Sequence, residues 1–292
     1  MLQCFVKKNH IAPFPGSTVP KLLYVSRIES EESIYPRALH AHDSCAEIIL
    51  IRNGQGHYSI DGKRCRIQGG DLVLLNSGVV HDEISDINTR VGSYCCAIGD
   101  LALNGLPRNA VIGSEESPIV PCGEHFDNIL ELFQLMFRLL LAAQPGADDS
   151  CHYLMMSLLT QVLNLLGQGS QPASPEPGEE GLSVLGSRIK EFIDLHYHED
   201  ISLQSISEDL NISPYYLSHV FKEASGYSPV KYLLRRRIGE AQTLLINTDY
   251  TVTQVASMVG YDNPSHFNLI FTKHVGMTPL KYRKKYTIKS GI

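Results

Sequence analysis

The stretch GYSPVKYLLRRRIGEAQTLLIN, residues 226–247, decides how the C-terminal part of this chain is read. Ser228 suits a helix cap, and Pro229 suits the first helical position, where its missing N–H is no loss. Val230, Leu233, Leu234, Ile238, Ala241, Leu244 and Leu245 then recur at three- and four-residue steps, the period of a helix with one apolar face. Lys231, Arg235, Arg236 and Arg237 fall on the remaining surface as a basic cluster. The pattern predicts one helix of about nineteen residues, roughly 28 Å long.

The sequence before this helix returns after it. SLQSISEDLNISPYYLSHVFKEASGYSPVKY (residues 202–232) matches TVTQVASMVGYDNPSHFNLIFTKHVGMTPLKY (residues 251–282), with one inserted residue around Tyr261 and Asp262. Ser213-Pro214 and Ser228-Pro229 correspond to Asn263-Pro264 and Thr278-Pro279, and Leu217, Phe221 and Gly226 correspond to Phe267, Phe271 and Gly276. Leu203, Ile206 and Leu210 form a helical stripe that stops at Asn211, and Pro214 restarts a helix through Lys222. In the second copy Thr251 and Gln254 make a capping box, Val252, Val255, Ala256 and Val259 form the stripe, and Gly260 breaks it. Short helix, tight turn and second helix is the helix-turn-helix pattern. One such match arises by chance in many helical domains; two in register, joined by one helix, are a stronger signal. The joining helix nearly spans the roughly 34 Å between successive major grooves on one face of B-DNA, so one chain can present two reading helices to adjacent grooves.

Composition limits the rest. The chain has 292 residues and is 43% hydrophobic, which suits two domains with ordinary cores. Its net charge of −6 argues against nucleic acid only as an average. From Leu185 onward 13 Lys and Arg face 10 Asp and Glu, whereas the preceding residues hold 12 and 21. An acidic front and a mildly basic back suit a sensor joined to a DNA reader. Cys4, Cys45, Cys65, Cys95, Cys96, Cys122 and Cys151 all lie in the acidic part, with no C-x-x-C pair, which predicts reduced thiols in a cytoplasmic protein. No cleavable signal is visible. The most apolar stretch, residues 126–143, is interrupted by Asp127, Glu131, Gln134 and Arg138, so no membrane span is expected.

Residues 22–119 carry short β-rich runs at 47–51, 57–60, 64–67, 72–75 and 91–97, with Asp61-Gly62 as a hairpin turn. Many short strands with regular turns favour a closed or sandwich-like β architecture. Within it lie His40-x-His42-x4-Glu47-x6-Gly54 and Gly70-x5-Asn76-x-Gly78-x2-His81. This spacing resembles the two motifs of the cupin family of small β-barrels; Asn76 replaces the usual proline, and Ser85 stands where asparagine is frequent. Histidines two apart on a strand point to one side. With Glu47 and His81, His40 and His42 make a set of three nitrogens and one carboxylate suited to a divalent metal such as Fe, Mn, Ni or Zn. The same four side chains also serve as a polar lining for an organic effector, with Arg37, Tyr58 and Arg90 as further lining residues.

Helices are expected over residues 125–143 and 151–166, either covering the barrel or forming a self-complementary dimer face. GQGSQPASPEPGEEG, residues 167–181, has linker composition. The expected architecture is α+β and multidomain: a cupin-like effector-sensing barrel over residues 1–120, a helical hairpin over 121–168, a linker over 169–184 and an all-α tandem helix-turn-helix domain over 185–288.

The last hundred or so residues resemble the DNA-binding domain of AraC/XylS-type transcriptional regulators, and a cupin followed by helices is a common sensor arrangement in that family. Ala256, Val259, Gly260, Tyr261, Phe267, Phe271, Lys273, Gly276, Thr278, Pro279 and Tyr282 carry the resemblance most specifically. It implies a bacterial, cytoplasmic gene regulator whose barrel binds a small molecule, a sugar among the options, and which acts on double-stranded DNA and RNA polymerase as a homodimer. It also implies reading helices at 214–222, with Tyr215, Tyr216, Ser218, His219 and Lys222 toward DNA, and at 264–273, with Asn263, Ser265, His266, Asn268, Leu269 and Lys273. Arg236 of the joining helix is added as a phosphate contact. His219 and Leu269 stand where the family often has arginine, the commonest reader of guanine; Leu269 suits a thymine methyl and Asn268 an adenine. The alternative is a metal-dependent cupin enzyme, an isomerase or dioxygenase, fused to a DNA-binding unit.

Overall fold

The computed structural model describes residues 19–30, 37–84, 90–167 and 184–286. Cys4, Ser85 and most of the expected linker lie outside them. The front half pairs eight strands: β1 (Lys21–Ile28), β2 (Cys45–Asn53), β3 (Gln55–Ile60), β4 (Lys63–Gln68), β5 (Asp71–Leu75), β6 (His81–Ile84), β7 (Gly92–Gly99) and β8 (Ile119–Pro121). They form two antiparallel sheets, in the orders β1-β7-β2-β5-β8 and β4-β3-β6. Asp61 and Gly62, both with positive φ, make the predicted hairpin turn between β3 and β4.

Strand alternation divides the core into two layers. Ile49, Ile51, Val73 and Leu75 point inward with Tyr58, Ile60 and Ile67 of the facing sheet. Ile48, Leu50, Leu72, Leu74, Cys96 and Ile98 point outward, onto helices α1 (Phe126–Ala142) and α2 (Ala147–Gly167). The helical pair therefore covers the larger sheet, burying Ile129, Phe133 and Met136 from α1 and Met155, Leu158, Leu159 and Val162 from α2. Helix α2 begins a turn earlier than the expected 151.

The back half consists of α3 (Val184–His196), α4 (Leu203–Asp209), α5 (Pro214–Ser225), α6 (Pro229–Asn247), α7 (Val252–Met258), α8 (Pro264–Val275) and α9 (Pro279–Tyr286). The internal repeat survives in detail. Ser202 and Thr251 both form capping boxes at the starts of α4 and α7. The turns that follow use Asn211 at φ 54° and Gly260 at φ 82°, the left-handed conformation that asparagine and glycine tolerate best. Both α5 and α8 carry Pro in the first turn, run twelve residues and end at a left-handed glycine, Gly226 or Gly276. Helix α3, which the sequence reading left unassigned, packs against α5 through Ile189 and Ile193.

Each half-reader has its own core, and α6 supplies both: Tyr232 meets Phe221 in the first, and Ile238, Ala241 and Leu245 join Phe267 and Phe271 in the second. Val230, counted in the apolar stripe from sequence, is exposed instead. Phe221, Phe267 and Phe271 are fully buried, as is Leu217. Replacing Leu217 or Phe271 by alanine should destabilise its half-reader by about 2 to 5 kcal/mol, read as a lowered urea midpoint; a melt superimposable on the parent would place the core elsewhere.

Candidate functional site

Two regions gather the predicted site residues. In the barrel, His40 and His81 pair through their backbones, His40 N–H donating to His81 O at 3.0 Å and His81 N–H to His40 O at 2.9 Å. This bridge sets the rings of His40 and His81 4.2 Å apart, and that of His42 5.1 Å from His40. Glu47, on the inward face of β2, closes the group, and the ligand-type atoms of all four residues lie within 4.8 Å of one another. The sequence motif thus becomes one cluster.

The donor set fits a divalent cation on three counts. His40 Nδ1 lies 2.8 Å from Ala38 O, and His81 Nδ1 2.9 Å from Val79 O. A carbonyl only accepts, so both Nδ1 atoms carry hydrogen and each ring turns its Nε2 to the centre, the orienting contact that ligating histidines use. His81 Nε2 lies 3.2 Å from Glu47 Oε2, so the two atoms share a proton or a cation between them. His42 Nε2 is buried, has no hydrogen-bond partner among the described residues and lies 3.4 Å from Glu47 Oε1. Four-coordinate zinc with bonds of about 2.1 Å keeps its ligands about 3.4 Å apart.

Electrostatics agree with a cage built for positive charge. Burial, the Arg37 charge and the neighbouring imidazoles push His40 well below its ordinary pKa. Burial takes His42 down to about 4, against the opposing pull of Glu47. Burial alone would raise the Glu47 carboxyl, but the hydrogen bond from His81 and the charges of His42, His81 and Arg37 hold it below the usual carboxylate range. Two neutral imidazoles and an ionised carboxylate are the forms that bind metal. Tyr24 Oη donates to Glu47 Oε1, and Cys95 Sγ lies 3.5 Å from the same oxygen; sequence reading missed both, although the β1–β7 pairing that delivers them leaves no motif. Among the described residues Cys45, Cys95, Cys96, Cys122 and Cys151 form no disulfide.

The other expected lining residues divide. Tyr58 is buried in the apolar inner layer. Arg37 lies near enough to the centre to act on Glu47 and the imidazoles, and it also donates to Thr243 Oγ1 of α6 at 2.9 Å. Arg90 is exposed, so the expectation that it lines the barrel is corrected: it precedes β7, outside the buried run that opens with Val91.

The reading helices present the faces expected of them. On α5, Tyr215, Tyr216, His219 and Lys222 are exposed and Ser218 is half-buried. On α8, Ser265, His266, Leu269 and Lys273 are exposed, with Leu269 at 68%. Asn263 caps α8, its Oδ1 accepting from the Ser265 and His266 amides. Asn268 Nδ2 donates to Pro264 O at 2.9 Å, so an adenine would compete with that bond.

Arg236 is a correction. It is 6% exposed, its Nη1 donates to Glu240 at 3.0 Å, its Nε lies 3.5 Å from Asp194, and its guanidinium sits 4.4 Å from the centre of the Tyr197 ring. A guanidinium so enclosed cannot meet phosphate. Its neighbours are also engaged: Arg235 pairs with Asp82 of the barrel, and Arg237 donates to the carbonyls of Tyr197 and Glu199.

Comparison with known proteins agrees with both regions. Residues 22–163 match an AraC-like ligand binding domain, and residues 206–285 match a helix-turn-helix domain. An uncharacterized HTH-type transcriptional regulator of Escherichia coli K12, YdiP, is 26% identical over 97% of this chain and 92% of its own length. The lactose operon transcription activator of Staphylococcus xylosus is 26% identical over 82% of this chain and 84% of its own. The HTH-type transcriptional activator RhaR of Cronobacter sakazakii is 25% identical over 88% and 91%. These relatives are named as transcriptional regulators and not as enzymes. Among the described residues no helix is long and apolar enough to cross a membrane.

Arg236→Ala removes a charge from a buried network and should lower reader stability by about 3 kcal/mol. Chemical denaturation checks this; an unchanged melt with weakened DNA binding would return Arg236 to the interface.

Proposed function

This chain belongs to the AraC-type transcriptional regulators, and from that premise we propose that its barrel senses a small polar effector, a sugar in class, at a divalent metal held by His40, His42, Glu47 and His81. The observation that carries this reading is the convergence of four buried donors on one point, with two of the imidazoles fixed from behind by backbone carbonyls. The cation supplies a buried positive charge able to bind hydroxyl oxygens, the groups a sugar offers in adjacent pairs. Arg37 and Tyr24 sit at the same centre and add polar contacts to an effector. The lactose operon activator among the relatives supports the sugar class and activation as the sign of control.

In this organisation residues 1–120 sense, 121–168 pair two chains, 169–184 connect, and 185–288 read DNA. Exposed Leu135, Leu141 and Tyr153 on α1 and α2 support the helical pair as the homodimer face. Tyr215, Tyr216, Ser218, His219 and Lys222 meet one major groove, and Ser265, His266, Asn268, Leu269 and Lys273 the next. The regulator works in the cytoplasm, where its DNA and RNA polymerase are.

Two measurements test the two halves of this reading. Titrating the purified protein with Zn²⁺, Mn²⁺ and Fe²⁺ should give one site per chain, lost in His42→Ala, and lactose and related sugars should bind only the metal-loaded form; sugar binding that ignores His42→Ala would refute the centre as the effector site. Replacing Lys273 by alanine should weaken binding to all duplexes and reduce the salt slope by about one. Binding that keeps its full salt dependence would take Lys273 off the phosphates.

A further inference from the structure

Building on the reading of the His–Glu centre as a metal site, we infer that α6 reports the filling of that centre to both reading helices at once. The two barrel segments that carry the histidines dock directly on this helix.

The first is the segment around His40. Ala38 N–H donates to Gln242 Oε1 at 2.8 Å and Arg37 to Thr243, both on α6. Leu39 is buried in the core of the first half-reader, and Ala38 packs against the core of the second. Between them α6 presents Gly239. A Cβ there would stand 2.1 Å from Leu39 O and 2.6 Å from Ala38 O. Glycine weakens a helix interior, and Gly239 has ordinary helical backbone, so the close approach is its physical reason. Ala38 O is also the atom that fixes the His40 ring. One carbonyl thus touches both the centre and the joining helix.

The second is the segment around His81. The next residue, Asp82, is fully buried and ion-paired with Arg235 of α6. Since His40 and His81 are bridged through their backbones, a shift at either is felt at both contacts.

The docking is not fully satisfied. Arg37 Nε, Asp82 Oδ1, Arg235 Nε and Gln242 Nε2 are buried without hydrogen-bond partners among the described residues. A polar crevice of about 410 Å³, lined by Asp43, Asp61, Lys190 and Asp194, runs alongside. Buried polar groups left unpaired keep a contact near balance, where small displacements of His40 and His81 on ligation change its population. Because α6 supplies both half-reader cores, it moves both reading helices or neither.

Gly239→Ala in the full chain separates this role from folding: alanine favours helix, so the reader still forms, while the methyl opposes docking. With Zn²⁺ as the probe and duplexes selected from a random pool by the parent protein, zinc should change parental DNA affinity by roughly tenfold. In Gly239→Ala zinc should bind with unchanged stoichiometry, and its effect on DNA affinity should fall below about twofold. Asp82→Arg and Arg235→Asp should each lose the zinc response and regain part of it when combined. A parent that binds zinc without changing DNA affinity, or variants that keep the full response, would overturn the inference. If the parent binds no zinc, the metal reading fails by itself, and the coupling is read by calorimetry. One unfolding transition in the parent and two in Gly239→Ala uphold it; the same profile in both overturns it.

Discussion

Helix α6 is buried on three sides, and the rest of the molecule is arranged to satisfy them. One face closes the first half-reader through Tyr232, another closes the second through Ile238, Ala241 and Leu245, and a third receives the barrel at Arg235, Gly239, Gln242 and Thr243. A helix that serves three partners has little freedom to turn or slide, because packed interiors shift between discrete arrangements and do not deform smoothly. It fixes the spacing of the reading helices and gives the sensor a handle on that spacing.

The barrel faces a different constraint. Glu47 is an ionised carboxylate enclosed between two sheets, and such a charge persists only with compensating partners. Here the partners are histidines, a tyrosine hydroxyl and the nearby Arg37 guanidinium. The same crowding that keeps Glu47 ionised keeps His40 and His42 neutral, and so prepares a centre for a cation. Arg37 belongs to both halves of the molecule, lowering the imidazole pKa values on one side and bonding Thr243 on the other.

Where sequence reasoning went astray, the cause lies in contacts between segments far apart in the chain. The Arg235–Arg237 run has the look of a solvated basic face, because periodicity reports the apolar side of a helix and treats the remainder as surface. The remainder of α6 carries a second stripe, Tyr232, Arg236, Gly239 and Thr243, at four- and three-residue steps and of mixed polarity, buried by α3 and the barrel. No hydrophobic pattern reveals such a stripe. Mid-helix Gly239 was the one available signal, since glycine there needs a reason. Arg90 was misplaced because lining residues were chosen by type, and a strand's edge does not announce which way its flanking residues turn.

By itself the sequence determined the elements and their chemistry. The repeated Xaa-Pro starts, the Thr251–Gln254 capping box, the breaks at Asn211 and Gly260 and the His-x-His-x4-Glu spacing each act over a few residues, so local rules read them directly. The tandem reader, the β-rich barrel and the grouping of His40, His42, Glu47 and His81 across two motifs were legible for that reason. Only the tertiary structure decided that Arg235 would spend its charge on Asp82, that Arg236 would be enclosed, that Tyr24 and Cys95 would join Glu47, and that the histidine-bearing segments would rest on α6. Those outcomes depend on pairs 23 to 206 residues apart, and which of many distant partners a side chain meets is set by how whole elements pack.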